Sequence, residues 1–176
     1  MRRNIAIVSC VIILALINLS IYHKEQQLAQ GQIVFLELAP KDPRSIMQGD
    51  YMTLRFSITR EIEKALKNTE VPKRDNIDGL AVVSLNKQNV GHFQRIHQPG
   101  ETLAESEQLI QFKRRKRNIK LSTDAYFFQE GDAKIYDKAK YGQFRAKPNG
   151  VILLAHVADK NLVLLSPSMT KPAHIE

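Results

Sequence analysis

Five consecutive cations, Lys113, Arg114, Arg115, Lys116 and Arg117, are the densest charge in the chain. Projected on a turn, such a run attracts lipid phosphates or acidic sugars; spread over a wet surface it only aids solubility. Phe112 precedes it and no aromatic interrupts it, so base stacking, and with it a nucleic-acid partner, is unsupported. Glu130 and Asp132 flank Gly131 in what reads as a turn, and two acids two residues apart need not converge for acid–base work. His92, His97, His156 and His174 lack the i, i+4 spacing of a helical zinc site, and His156, inside an apolar run, reads as a core or edge histidine. No glycine-rich phosphate loop and no Gly-x-Ser-x-Gly occurs. These residues assign no catalytic group, metal or cofactor.

The elements that must position these residues read mainly as strands. Residues 33–38 are β-rich, and in 51–58 Met52, Leu54, Phe56 and Ile58 alternate with Tyr51, Thr53, Arg55 and Ser57, the pattern of a half-buried strand. Two prolines and a Gly-Asp between these segments mark an ordered loop ending in a turn. Residues 59–68 predict a short helix with Ile62, Ala65 and Leu66 on one face, packed at a sheet edge. Residues 80–85 and 90–96 predict a hairpin, and the shift in apolar parity from Ile110 and Phe112 to Ile119 and Leu121 predicts another, of strands 108–114 and 118–128, with the cationic run at its tip. A last hairpin is expected from 151–157 and 161–165. The fold class expected is a mainly β domain, barrel-like or sandwich-like, with one short additional helix.

Ahead of this domain stands an uncharged run from Asn4 to Tyr22, preceded by Arg2 and Arg3. At about 1.5 Å per helical residue it comes close to crossing a hydrocarbon core of about 30 Å. A cleavable signal peptide has a shorter apolar region followed by small residues, whereas this run gives way to Tyr22, His23, Lys24 and Glu25, so an uncleaved anchor is expected. Cys10 lies too early in the run for a lipidation site. The two arginines predict a cytoplasmic N-terminus. The expected organisation is therefore 1–4 cytoplasmic, 5–22 transmembrane anchor, 23–31 stalk or continued helix, and 32–176 a single exported domain, periplasmic if the cell is Gram-negative. The net charge of +8 includes Arg2 and Arg3. The sole cysteine is Cys10, so the exported domain has to be stable without disulfides.

Gly49, Asp50, Tyr51, Met52, Thr53, Leu54, Arg55 and Phe56 together resemble the signature of the bacterial GDYXXLXY family, departing from it only where Phe56 replaces the last tyrosine. Asp42-Pro43-Arg44-Ser45, the stretch from Tyr126 to Gly131, and Tyr136 resemble further recurring parts of that family, which extends the likeness over nearly the whole exported domain. The resemblance implies a membrane-anchored bacterial envelope protein of undetermined activity, of a kind often encoded beside polytopic membrane proteins. Read physically, Gly49 turns the chain, Asp50 accepts backbone N–H bonds there, and Leu54 and Phe56 face inward. The competing functional reading makes Arg44, Asp50, Tyr51 and Glu130 a polar cluster that binds a ligand or partner.

The reading that results is a non-enzymatic accessory or binding partner of another integral membrane protein, in the inner membrane. The alternative is a binder of anionic lipid or envelope polysaccharide through residues 113–117. A third reading, a serine–lysine peptidase of the signal-peptidase type, would use Ser45; it needs a desolvated lysine nearby, and the Ser-Met-x-Pro order of such enzymes is missing.

Overall fold

The N-terminal charge-free run is one continuous helix, α1, from Arg2 to Gln30. A computed structural model describes residues 2–39, 51–68, 76–116, 118–129 and 131–167. Within α1 the 24 residues Ile7–Gln30, of mean hydropathy 1.8, are long and apolar enough to cross a membrane. From Ile7 onward only Gln27 is buried. Asn18, a polar interruption in the run, donates through its side-chain amide to the Leu14 carbonyl at 2.8 Å, so the helix satisfies it internally.

Beyond α1 the chain is built of antiparallel strands with a half-barrel curl. The strands are β1 (Gln32–Glu37), β2 (Tyr51–Thr53), β3 (Asn76–Leu85), β4 (Gly91–Ile96), β5 (Glu107–Arg115), β6 (Asn118–Lys120), β7 (Ala125–Phe127), β8 (Tyr141–Ala146) and β9 (Ile152–Ala158). They form a sheet of order β1-β8-β9, a ribbon β2-β7 and a sheet of order β4-β3-β5-β6. The two larger sheets meet where Phe35 bridges Val90 and where the Gln111 N–H donates to the Gly150 carbonyl at 2.7 Å.

Among the described residues two helices complete the domain: α2 (Ile58–Asn68) and the single turn α3 (Ala133–Tyr136). α2 buries Ile58, Ile62 and Leu66, spaced four residues apart on one face, and touches both outer strands of the four-stranded sheet, β4 and β6. The core it closes contains Val34 and Leu36 from β1, Val83 from β3, Ile110 and Phe112 from β5, and Phe144 from β8. Each such side chain contributes about 1.5–3 kcal/mol by leaving water, which is how a domain without disulfides holds together.

Much of the expected layout is present. The β3-β4 hairpin and the β5-β6 turn form where turn residues and apolar parity placed them, and α2 starts one residue before the expected Thr59; the strand expected over 118–128 instead ends at Lys120, and Ala125–Phe127 pairs with β2. The C-terminal hairpin is corrected in part. Residues 161–165 do fold back on the end of β9, through the antiparallel bridge Ala158 to Leu164 and the Leu165 N–H donating to the Val157 carbonyl at 2.8 Å, but they form no regular strand, and the ladder partner of β9 is β8, a strand absent from the sequence reading. Tyr141, Gln143 and Arg145 alternate with Gly142, Phe144 and Ala146, and the glycine, alanine and buried Gln143 blunt the apolar signal of that strand. The run 51–58 is likewise regular strand only to Thr53, although its alternation of buried and exposed side chains holds through Phe56.

Candidate functional site

The motif strand is stitched to the domain on both sides. Along β2 and β7, Tyr51 faces Phe127, Met52 faces Tyr126 and Thr53 faces Ala125. Past the strand, the Leu54 N–H donates to the Asp124 carbonyl at 2.7 Å, while the Arg55 carbonyl accepts from the Ala39 N–H at 2.7 Å. The Ser57 N–H then donates to the Glu37 carbonyl at 2.9 Å, so residues 51–57 run from the ribbon to the end of β1.

Leu54 and Phe56 face inward as expected. The Phe56 ring meets Phe144 edge to face, centroids 5.3 Å apart, and lies against the backbone of Gly142. A Cβ on residue 142 would stand 3.0 Å from the Phe56 ring, 3.1 Å from Phe144 and 3.2 Å from Leu154. Glycine thus makes room for the ring at the place where the motif departs from the family pattern.

Tyr51 faces the other way. Its ring lies 5.7 Å from that of Phe127, and the two are 43% and 75% exposed, an aromatic pair turned to solvent. Phe127's neighbours Tyr126 and Phe128 instead pack on Tyr136, with centroids at 5.3 and 4.9 Å. Burial, helped by the hydrogen bond with Tyr126, pushes the Tyr136 phenol up to about 12. The resemblance named Tyr126, Phe127, Phe128 and Tyr136, but only the two-residue period of a strand separates Phe127 from the rest of that cluster.

Of the proposed polar cluster, Tyr51 alone is described; Arg44, Asp50 and Glu130 lie outside the described residues, as do Ser45, Gly49, Arg117 and His174. Beside the motif, Leu54, Phe56, Arg55, Arg60, Lys120 and Asp124 line an open groove of about 450 Å³. Lys120 and Asp124 form an ion pair across its rim. Glu63 lines the groove together with Arg55 and Arg60, so it carries charges of both signs.

The cationic run ends β5 and enters the turn to β6, with Lys116 at a positive φ of 56°. Its strand portion has a partner that sequence reasoning missed. Asp78, directly across from Lys113, accepts from Arg115 at 2.6 Å, and that bond, with the charges of Arg115 and Lys113, holds its carboxyl below the usual carboxylate range. His156 is exposed on the edge strand β9, the edge alternative of the sequence reading. At the other end of β5, Arg95 bridges Glu101 and Glu107, and Glu107 falls to about 2, foremost through its bonds from Arg95. Among the described residues, no group of three His, Cys, Asp or Glu side chains is placed to hold a metal ion.

A curled antiparallel β domain on a continuous apolar helix, with the segment Tyr51 to Ser57 joined to β7 on one side and to the end of β1 on the other, defines the class of protein. The chain belongs to the GDYXXLXY protein family, whose model matches residues 13–157. No curated protein and no solved structure matches it.

Proposed function

We propose that this protein is a single-pass component of the bacterial inner membrane, N-terminus in the cytoplasm and β domain in the periplasm, which acts without chemistry of its own as an accessory to another integral membrane protein. The observation that carries this reading is the Tyr51–Phe127 pair. Aromatic side chains left in water gain most from burial in a partner, and Tyr is a frequent energetic anchor of interfaces because one end is apolar and the other polar. Here the exposed tyrosine belongs to the family motif, and its backbone is held by the β2-β7 ladder, so it is presented in a fixed direction. The helix α1 supports the membrane setting by its length, its hydropathy and its outward-facing side chains.

A benzophenone side chain at position 127 tests this in cells. Illumination is expected to join the chain to an integral membrane protein identified by mass spectrometry, with no such product from position 88 on the β3-β4 turn. Absence of a product at 127, or equal products at both positions, would reject the accessory reading.

The second reading, contact with anionic lipid or polysaccharide through Lys113, Arg114, Arg115, Lys116 and Arg117, is favoured by the exposed position of Lys113 and Lys116. Asp78 weakens it by offsetting part of the charge.

A further inference from the structure

The boundary between anchor and domain is not a free tether. Gln27, five residues past Tyr22, is 6% exposed, and its side-chain amide donates to two carbonyls of the domain, Arg145 at 2.9 Å and Val151 at 3.0 Å. The Gln27 carbonyl in turn accepts from the Gly31 N–H at 2.9 Å, and the Gly31 carbonyl accepts from Arg145 Nη1 at 3.1 Å. That places a guanidinium at the negative end of the helix, where it is favourable. A Cβ at residue 31 would lie 2.5 Å from the Gln27 carbonyl oxygen and 3.0 Å from Arg145 Cβ, so glycine is what allows the helix end to close on β8.

α1 meets the domain mainly at β8 and β9, and apart from Gln27 every described side chain from Ile7 to Gln30 is exposed. The helix therefore leaves the domain at this corner and does not fold back along a sheet. The helix rise puts Gln27 about 8 Å beyond Tyr22. The interfacial layer outside a hydrocarbon core adds about 5 to 8 Å on each side. The corner of the domain bound to Gln27 is consequently held at the depth of the lipid headgroups.

At that corner lies an open recess of about 530 Å³, whose walls include Gln26, Gln30, Gln32, Gln108, Lys147 and Pro148. Gln108 Nε2 holds the Lys147 carbonyl at 2.9 Å and so fixes the approach to the turn that joins β8 and β9. Amides that donate and accept, beside one ammonium, suit a phosphodiester with a polar substituent; they do not suit acyl chains. We propose that this recess binds a phospholipid headgroup of the same bilayer that α1 crosses, so that the domain sits on the membrane at a fixed orientation. The proposal rests on the membrane-anchored reading of α1. It places headgroup contact away from the cationic hairpin tip, which stands about 23 Å along β5 from Gln108.

The test uses the full chain with Cys10→Ser, reconstituted in vesicles of phosphatidylethanolamine and phosphatidylglycerol that carry a quencher on the headgroup. A fluorophore is placed either at Asn149 in the β8-β9 turn or at Asn161 past the far end of β9, both exposed. Flotation of the protein with the vesicles after an alkaline wash checks the anchor by itself. The expected result is flotation, several-fold stronger quenching at 149 than at 161, and a fall of that ratio toward one when Gln27→Ala or a flexible insertion after Gln30 releases the helix. Flotation with equal quenching at the two positions, or with a preference for 149 that Lys147→Glu leaves unchanged, overturns the recess while leaving the anchor intact; quenching at 149 that survives both releases overturns the Gln27 lock on which its placement rests. Failure to float overturns both the anchor and the proposal built on it.

Discussion

Phe56 shows how one residue of a motif is bound to its neighbours by shape. Its ring fills the space left by the missing side chain of Gly142, so the two positions are coupled. Phe56→Ala is expected to cost about 3–5 kcal/mol in denaturant unfolding of the full chain in detergent. Gly142→Ala is expected to cost about 1–3 kcal/mol through crowding, and less when combined with Phe56→Leu, because the smaller side chain leaves room for the new methyl group. Additive losses would mean that the ring and the glycine act independently. Tyr136 makes a second prediction at this scale. Its phenol is raised in the folded protein from 10.0 to about 12, so folding favours the neutral form. That contribution is complete below pH 10.0 and is lost as pH rises through about 12. Tyrosinate absorbance should show a late phase near that pH, which Tyr136→Phe abolishes.

The β5-β6 hairpin is the element whose role the charges leave open. Arg115 is engaged with Asp78, whereas Lys113 and Lys116 point to water, so Lys113→Ser, Arg114→Ser and Lys116→Ser together test the tip without removing the Arg115 bond. Stability is expected to change by no more than about 0.5 kcal/mol per substitution, as is usual for surface positions. Co-sedimentation with anionic vesicles supplies the functional readout. A solvated tip leaves attachment unchanged, while a tip that binds lipid loses roughly 1 kcal/mol per cation and is mimicked by added salt. The element also shows what periodicity can and cannot carry. The parity shift around residues 113–117 located the turn, but nothing local connects the run to Asp78, which comes from a strand more than thirty residues earlier.

The whole molecule is a helix that ends in a lock and a domain that hangs from it, and its topology can be tested directly. A periplasm-active reporter fused to the C-terminus is expected to be active while the mature protein keeps residue 1; a mature N-terminus beyond Tyr22 would show cleavage and remove the anchor. Residue types along the chain were enough to specify the apolar helix, the inward alternation of Met52, Leu54 and Phe56, the amphipathic α2, the two central hairpins and the family, because each depends on contacts only a few residues apart or on a contiguous string. Tertiary structure decided the rest. β8 is a strand because β1 and β9 satisfy its backbone on both sides, even though Gly142, Gln143 and Ala146 weaken its own signal. Phe127 faces water while Tyr126 and Phe128 meet Tyr136, a choice made by register with β2. Gln27 becomes the lock between α1 and the β domain through carbonyls 118 and 124 residues away. A glutamine in a polar stretch carries no mark of such partners, since hydrogen-bonding capacity is local but the groups that use it are brought together only when the sheet closes.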